Sequence, residues 1–255
     1  MRNRIIVQKY GGTSIGDVEK LKLIAKKISE TKEKGFYPVV VVSAMGKTTD
    51  ELVSMSKEVT FLNKPPDLRE KDILLSTGEL VSSTLLAISI KSLDKKVISL
   101  SGSQAGIITD DIHGSARISD INTARIMNEI KNDNIIIIAG FQGINIDGDI
   151  TTLGRGGSDT TAVAIAAALK AEFCEIYTDV EGIFTTDPRI VHNARKLDKI
   201  NYEDMLEMAV LGAKMHPRSI ELASIYNVPV YVAGTFSNKK GTLITKGDEM
   251  ENNKT

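Results

Sequence analysis

A single cysteine in 255 residues, Cys174, rules out an internal disulfide, and three isolated histidines (His113, His192, His216) lack zinc-type spacing. Cys174 sits in the apolar run 172–177 and reads as a buried structural thiol of a protein from a reducing compartment, the cytoplasm. Long apolar runs are missing too: 135–140 and 162–169 fall short of the roughly 20 residues a membrane helix needs. The amino terminus, MRNRIIVQKYGG, has only Ile5, Ile6 and Val7 before Gln8, too little for the core of a secretory signal. Excess charge of one sign is absent as well. A net charge of −1 gives no overall pull toward nucleic acid or an anionic membrane, so any positive charge that matters is local.

What remains is an ordinary globular composition, 42% apolar and 25% charged, in a chain long enough to bury a sizeable core. Short apolar segments alternate with helical ones. Residues 5–8, 38–43, 96–100, 105–109, 135–139, 172–178, 229–232 and 242–245 read as strands. Helices are predicted over 17–34, 49–61, 67–92, 121–132, 159–170, 202–211 and 217–226. Repeated strand–helix–strand order predicts an α/β fold, a three-layer α/β/α sandwich around a mostly parallel sheet. Residues 1–245 read as one unit sharing one sheet, with a division near 150 between two halves, and 246–255 as a polar tail.

Chemistry concentrates at strand ends. Lys9-Tyr10-Gly11-Gly12-Thr13-Ser14 follows the first strand, where paired glycines let backbone amides approach phosphate oxygens and Lys9 adds a point charge; an ordinary turn explains the same residues. Ser43 to Asp50 contains Gly46-Lys47-Thr48, but a phosphate-binding P-loop needs a glycine where Val41 stands. Its hydroxyls suit a small polar ligand or, on the residues alone, capping of the next helix. Ser76-Thr77-Gly78-Glu79 reads by itself as a solvated helix face, with a buried ammonium-binding glutamate as the alternative.

The densest signal is Gly154-Arg155-Gly156-Gly157-Ser158-Asp159, three glycines, an arginine and two residues of helix-capping type opening an alanine-rich helix. A turn does not require the arginine, whose planar guanidinium suits carboxylate or phosphate. Helix start and glycines favour an anion there. Thr178-Asp179 to Asp187-Pro188-Arg189 is a turn-rich loop beyond a strand end, where open α/β sheets bind ligands, and Lys214 precedes a helix opened by Pro217.

VQKYGGTS, VVVVSAMGKTTDEL, LLSTGEL, IAGFQG and TTLGRGGSDTTAVAIAAAL together resemble the aspartate kinase branch of the amino acid kinase family, and TDVEGIFTTDPR is similar to nucleotide-binding segments across that family. The resemblance runs from Lys9 to Leu243. It implies phosphoryl transfer from ATP, carried with Mg2+, to the side-chain carboxylate of L-aspartate, the first step toward lysine, threonine and methionine. It implies catalytic roles for Lys9, Asp159 and Lys214, with Asp159 organising both lysines. Nucleotide contacts would come from Lys9, Gly11, Gly12, Thr178, Asp179, Phe184, Asp187, Arg189, Lys214 and Met215. Ser43, Thr49, Glu79, Arg155 and Ser158 would bind aspartate, Glu79 taking its ammonium and Arg155 a carboxylate. Residues 1–150 would then be mainly the acceptor half and 151–245 mainly the nucleotide half, with no metal ligand expected from protein side chains.

Aspartate kinases usually continue into paired ACT-type regulatory domains, which are expected to be absent from this chain. A homodimer or a separate regulatory chain both remain open as partners, and no nucleic acid or membrane is expected. Two other readings stay open: a family enzyme with a different carboxylate acceptor, and a nucleotide- or amino-acid-sensing module without turnover.

Overall fold

In the computed structural model, which describes residues 4–187 and 190–247, strand and helix alternate nearly throughout. The first half runs β1 (Ile5–Tyr10), α1 (Val18–Glu33), β2 (Tyr37–Val42), α2 (Thr48–Glu58), α3 (Leu68–Lys91) and β3 (Val97–Leu100). Then come β4 (Ile107–Thr109), β5 (Ile118–Ile121), α4 (Ala124–Lys131), β6 (Ile135–Ala139), β7 (Gln142–Ile144) and β8 (Ile150–Thr152). The chain ends with α5 (Gly157–Leu169), β9 (Phe173–Thr178), β10 (Lys199–Asn201), α6 (Tyr202–Val210), α7 (Pro217–Tyr226), β11 (Val230–Gly234) and β12 (Thr242–Thr245).

The main sheet has the order β10-β12-β11-β9-β1-β2-β6-β3 and is parallel except where β11 meets β12. Its central strands are β-branched runs covered on both faces, and their period of two splits the core. Ile5, Val7, Val39, Val41, Ile136 and Ile138 point to the face covered by α4 to α7, whereas Val40, Val42, Ile135 and Ile137 meet α1 and α3. The expected three-layer α/β/α sandwich is what forms. Because β1 pairs with both β2 and β9, the two halves of the chain share one sheet.

A second, four-stranded sheet, β5-β4-β7-β8, sits at one end. Of its strands, only β4 is predicted from sequence. The helix expected from residue 121 starts at Ala124, since Ile121 is taken into pairing with Ile107. Short apolar runs also understate α3, the one described helix long and apolar enough to cross a membrane by length and composition. Its buried face carries Asp72, Ser76, Glu79, Ser82 and Ser83 and lies against the rest of the protein, so it is a core helix with a polar seam.

Candidate active site

Lys9 shares a strand face with Ile5 and Val7, which turns its side chain toward α5 and leaves it 9% exposed. There Lys9 Nζ lies 2.6 Å from Asp159 Oδ1. The glycines that follow serve close packing. A Cβ on Gly12 would stand 2.6 Å from Ala44 O, and Gly46 N donates to Gly12 O at 3.0 Å, so the ends of β1 and β2 touch. Gly11 N already donates to Tyr177 O at 3.3 Å, so Gly11 offers room more than a donor.

Glu79 does not lie on a solvated face. It is 3% exposed, with Oε1 accepting from Ala44 N at 3.0 Å and Oε2 without a hydrogen-bond partner among the described residues. Burial pushes its carboxyl up to about 7, against the opposing pull of the Ala44 N–H. Its neighbour Gly78 lets α3 approach the β2 end, since a Cβ there would meet the Ala44 methyl at 2.9 Å. Ser82 Oγ donates to Ser43 O at 2.6 Å and ties the same loop from the next turn. The hydroxyls of this loop are not caps either: α2 begins after Lys47, with no side-chain cap.

The turn after β8 is left-handed at Gly154 (φ 73°) and Gly156 (φ 69°). Gly156 is the N-cap of α5, so Ser158 and Asp159 are first-turn residues and not the caps their types suggest. A carboxylate at that place is favoured by the helix dipole. Arg155 stands exposed at the tip of the turn.

These elements enclose a cleft of about 340 Å³, within the range of small-molecule sites. All five residues expected on the acceptor side, Ser43, Thr49, Glu79, Arg155 and Ser158, line it together with Lys9, Gly12 and Asp159. Of the other described residues expected at the nucleotide, Gly11, Thr178, Asp179, Phe184, Asp187, Lys214 and Met215, none lines it. Thr178 Oγ1 donates to Asp179 Oδ1 at 3.0 Å, and Lys214 Nζ lies 2.5 Å from the same Oδ1. Lys214 therefore pairs with Asp179, holding its carboxyl below the usual range, and among the described residues Asp159 has Lys9 and not Lys214 as its ion-pair partner. Phe184 is half-buried in a bridge to Lys196. Asp187 accepts through its carbonyl from Ile190 N and Val191 N, and Arg189 lies outside the described residues. Met215 is a core residue, 2% exposed.

Sequence reasoning missed Phe141. It lines the cleft in a left-handed conformation (φ 69°), which costs a bulky residue about 1–3 kcal/mol, and its N–H donates to Thr161 Oγ1. It missed His216 as well, whose ring fills the space above Gly156: a Cβ there would stand 2.2 Å from the ring. No sequence pattern announces either contact. Among the described residues no group of three or more His, Cys, Asp or Glu is placed to hold a metal.

The sequence model of the amino acid kinase family matches residues 4–234. An aspartokinase of Geobacillus stearothermophilus is 54% identical over 248 residues, 97% of this chain and 60% of that protein. Among solved structures, an aspartate kinase from Synechocystis superposes with a TM-score of 0.85 at 46% identity, over 97% of this chain and 40% of its own. Aspartokinase III of E. coli, in complex with aspartate and ADP, gives 0.86 at 27% identity over 96% of this chain and 65% of its own. The chain thus spans about three-fifths of the length of the curated relatives it matches.

Proposed function

The chain belongs to the amino acid kinase family, and from that premise we propose that it transfers a phosphoryl group from MgATP to the side-chain carboxylate of L-aspartate, giving 4-phospho-L-aspartate and ADP. One observation carries the choice of acceptor: Glu79, whose buried Oε2 has no partner among the described residues, lines the same cleft as Arg155 and the Lys9–Asp159 pair. An unpaired buried carboxylate oxygen wants a cation, and an exposed guanidinium wants an anion. An amino acid with a second carboxylate answers both and leaves that second carboxylate free to react. Names of the relatives support the same substrates, ADP and aspartate being those of the E. coli complex.

The acceptor carboxylate is already an anion, so no general base is required. The obstacle is repulsion between it and the triphosphate, roughly 4 kcal/mol for two unit charges 4 Å apart at an effective dielectric of about 20. Lys9, fixed by Asp159, would offset that charge. Lys214 would add to it once phosphate oxygens replace Asp179 as its partner. That exchange costs little, because both side chains of the pair are more than 40% exposed and such a pair is worth about 0–1 kcal/mol. Magnesium enters with the nucleotide as part of the substrate. Glu79 and Arg155 hold the acceptor in line, and Ser43, Thr49 and Ser158 supply hydroxyls to its polar atoms.

The test is an ADP-release assay with L-aspartate, paired with hydroxylamine trapping of the acyl phosphate. ADP formation that depends on aspartate and yields the hydroxamate is expected. Turnover with glutamate, N-acetylglutamate or UMP and none with aspartate would overturn the acceptor; binding of ATP and aspartate without any acyl phosphate would make the protein a sensor.

A further inference from the structure

Behind the cleft, α3 is tied to the strand that delivers Arg155 by a buried carboxylate with no part in the chemistry above. Asp72 is fully buried, two helical turns before Glu79 on the same helix. Its Oδ1 accepts from Thr152 Oγ1 at 2.5 Å and from Gly114 N at 3.1 Å; its Oδ2 accepts from His113 Nδ1 and Gly114 N, both at 2.9 Å. A carboxylate oxygen has no proton to give, so His113 and Thr152 are the donors. Thr152 ends β8, three residues before Arg155.

The turn that follows contains two left-handed glycines, Gly154 and Gly156, and has little stiffness of its own. Its floor is Gly114: a Cβ on Gly154 would stand 3.2 Å from Gly114 O. Arg218 of α7 grips the same place from the opposite side, its Nη1 donating to Leu153 O at 2.9 Å. Asp72 thus holds both the strand end that leads into the turn and the loop on which the turn rests.

We propose that Asp72 is a positioning residue that sets the distance between Glu79 and Arg155, and through it the length of amino dicarboxylic acid the cleft accepts. One helix carries Glu79 directly and, by way of Asp72 and Thr152, the turn that presents the guanidinium. A fully satisfied buried carboxylate suits this task because its partners cannot shift without leaving polar groups unpaired. The acceptor's identity rests on the aspartate kinase reading; the positioning does not.

Thr152→Val removes one hydroxyl at constant shape, and Thr152→Ser restores it. In Thr152→Val the KM for aspartate rises about ten- to a hundredfold, the scale of a small misplacement, while the KM for ATP stays within about twofold. The preference for aspartate over glutamate in kcat/KM falls at least about tenfold, and Thr152→Ser behaves as the parent. Amide hydrogen exchange across residues 153–158 quickens in Thr152→Val, with β1 and β2 unchanged, a readout that needs no substrate. Should Thr152→Val not fold, His113→Ala, which removes a partner at the edge of the cluster, gives the same pattern at smaller amplitude. Unchanged exchange at the turn, or a loss of kcat alone with the acceptor preference intact, overturns the proposal. Failure of the parent to phosphorylate aspartate overturns the functional reading instead, and the exchange data still decide the role of Asp72.

Discussion

Lys9 Nζ and Asp159 Oδ1 lie 2.6 Å apart, joining a central strand of the sheet to the first turn of α5, with side chains 11% and 13% exposed. So covered a pair is weakly screened by salt, and its geometry is set by two rigid elements, not by a loop. The ammonium is held where β1 ends, in the wall of the cleft.

Lys9→Ala is therefore expected to lower kcat by about 10²–10³, the loss typical of one preorganised transition-state contact. Removing Lys9 strands the Asp159 carboxylate, yet the helix dipole still favours an anion in that first turn. The melting temperature falls by a few degrees at most. Steady-state kinetics and a thermal melt on the same preparation check both parts; a loss under tenfold removes Lys9 from the chemistry.

With Glu79 as the proposed ammonium receptor, substrate binding is expected to depend on pH. The raised carboxyl, at about 7, is a cost of burying the charged form. Between about 4.5 and 7 the folded protein holds a proton that the unfolded chain has released, so stability contributed by this group falls as pH rises through that window. Ligand binding runs the other way, because the acceptor's ammonium selects the carboxylate. The KM for aspartate is expected to rise toward tenfold per unit as pH drops below 7 and to level off above it. Glu79→Gln abolishes that dependence along with most of the binding, and its melting temperature gains on the parent from pH 5 to pH 8. A flat KM between pH 5.5 and 8 would dismiss Glu79 as the ammonium receptor.

How far these features could be read from the sequence depends on whether they are local. The strands β2 and β6 are buried runs of Val and Ile, and α1 and α7 announce themselves by Asp17, Pro217 and an apolar stripe. All were legible. Ile118–Ile121, Gln142–Ile144 and Ile150–Thr152 were not, since their short runs mix polar and apolar residues and become strands only by pairing in the small sheet, the first with Ile107–Thr109 and the other two with each other. The cleft was legible as types of residue, since glycines, an arginine and a lysine at strand ends are signals in themselves. Its wiring was not: whether Asp159 or Asp179 takes Lys214, and that Asp72 lies under the Arg155 turn, are facts of tertiary distance.

Arg155 stands at an exposed tip, and a lysine there would keep the charge while losing the planar fork. Arg155→Lys is expected to weaken aspartate binding about ten- to a hundredfold, on the scale of one charge-assisted hydrogen bond, with ATP binding unchanged. Calorimetric titration with each ligand separates the two. An unchanged aspartate isotherm would place the acceptor's carboxylate elsewhere.

Gly156 bears two independent demands, and they can be pulled apart by mutation. Its φ of 69° costs an alanine about 1 kcal/mol or more, and an added Cβ would stand 2.2 Å from His216 Cγ, 2.3 Å from its Cβ and 2.6 Å from Cδ2. Gly156→Ala is thus expected to destabilise the protein by about 2–4 kcal/mol, the sum of backbone strain and overpacking, and to displace both the Arg155 turn and the start of α7. Because His216 caps α7 two residues after Lys214, the displacement reaches the nucleotide side, and the KM values for aspartate and ATP rise together. In Gly156→Ala with His216→Gly, which removes the Cβ as well as the ring, the steric part is relieved and the strain remains, so the pair of changes recovers part of the stability lost by the first alone. That non-additivity, measured by denaturant unfolding of the four proteins of the cycle, is the signature of direct contact. Strict additivity would mean that His216 does not bear on the glycine turn in solution.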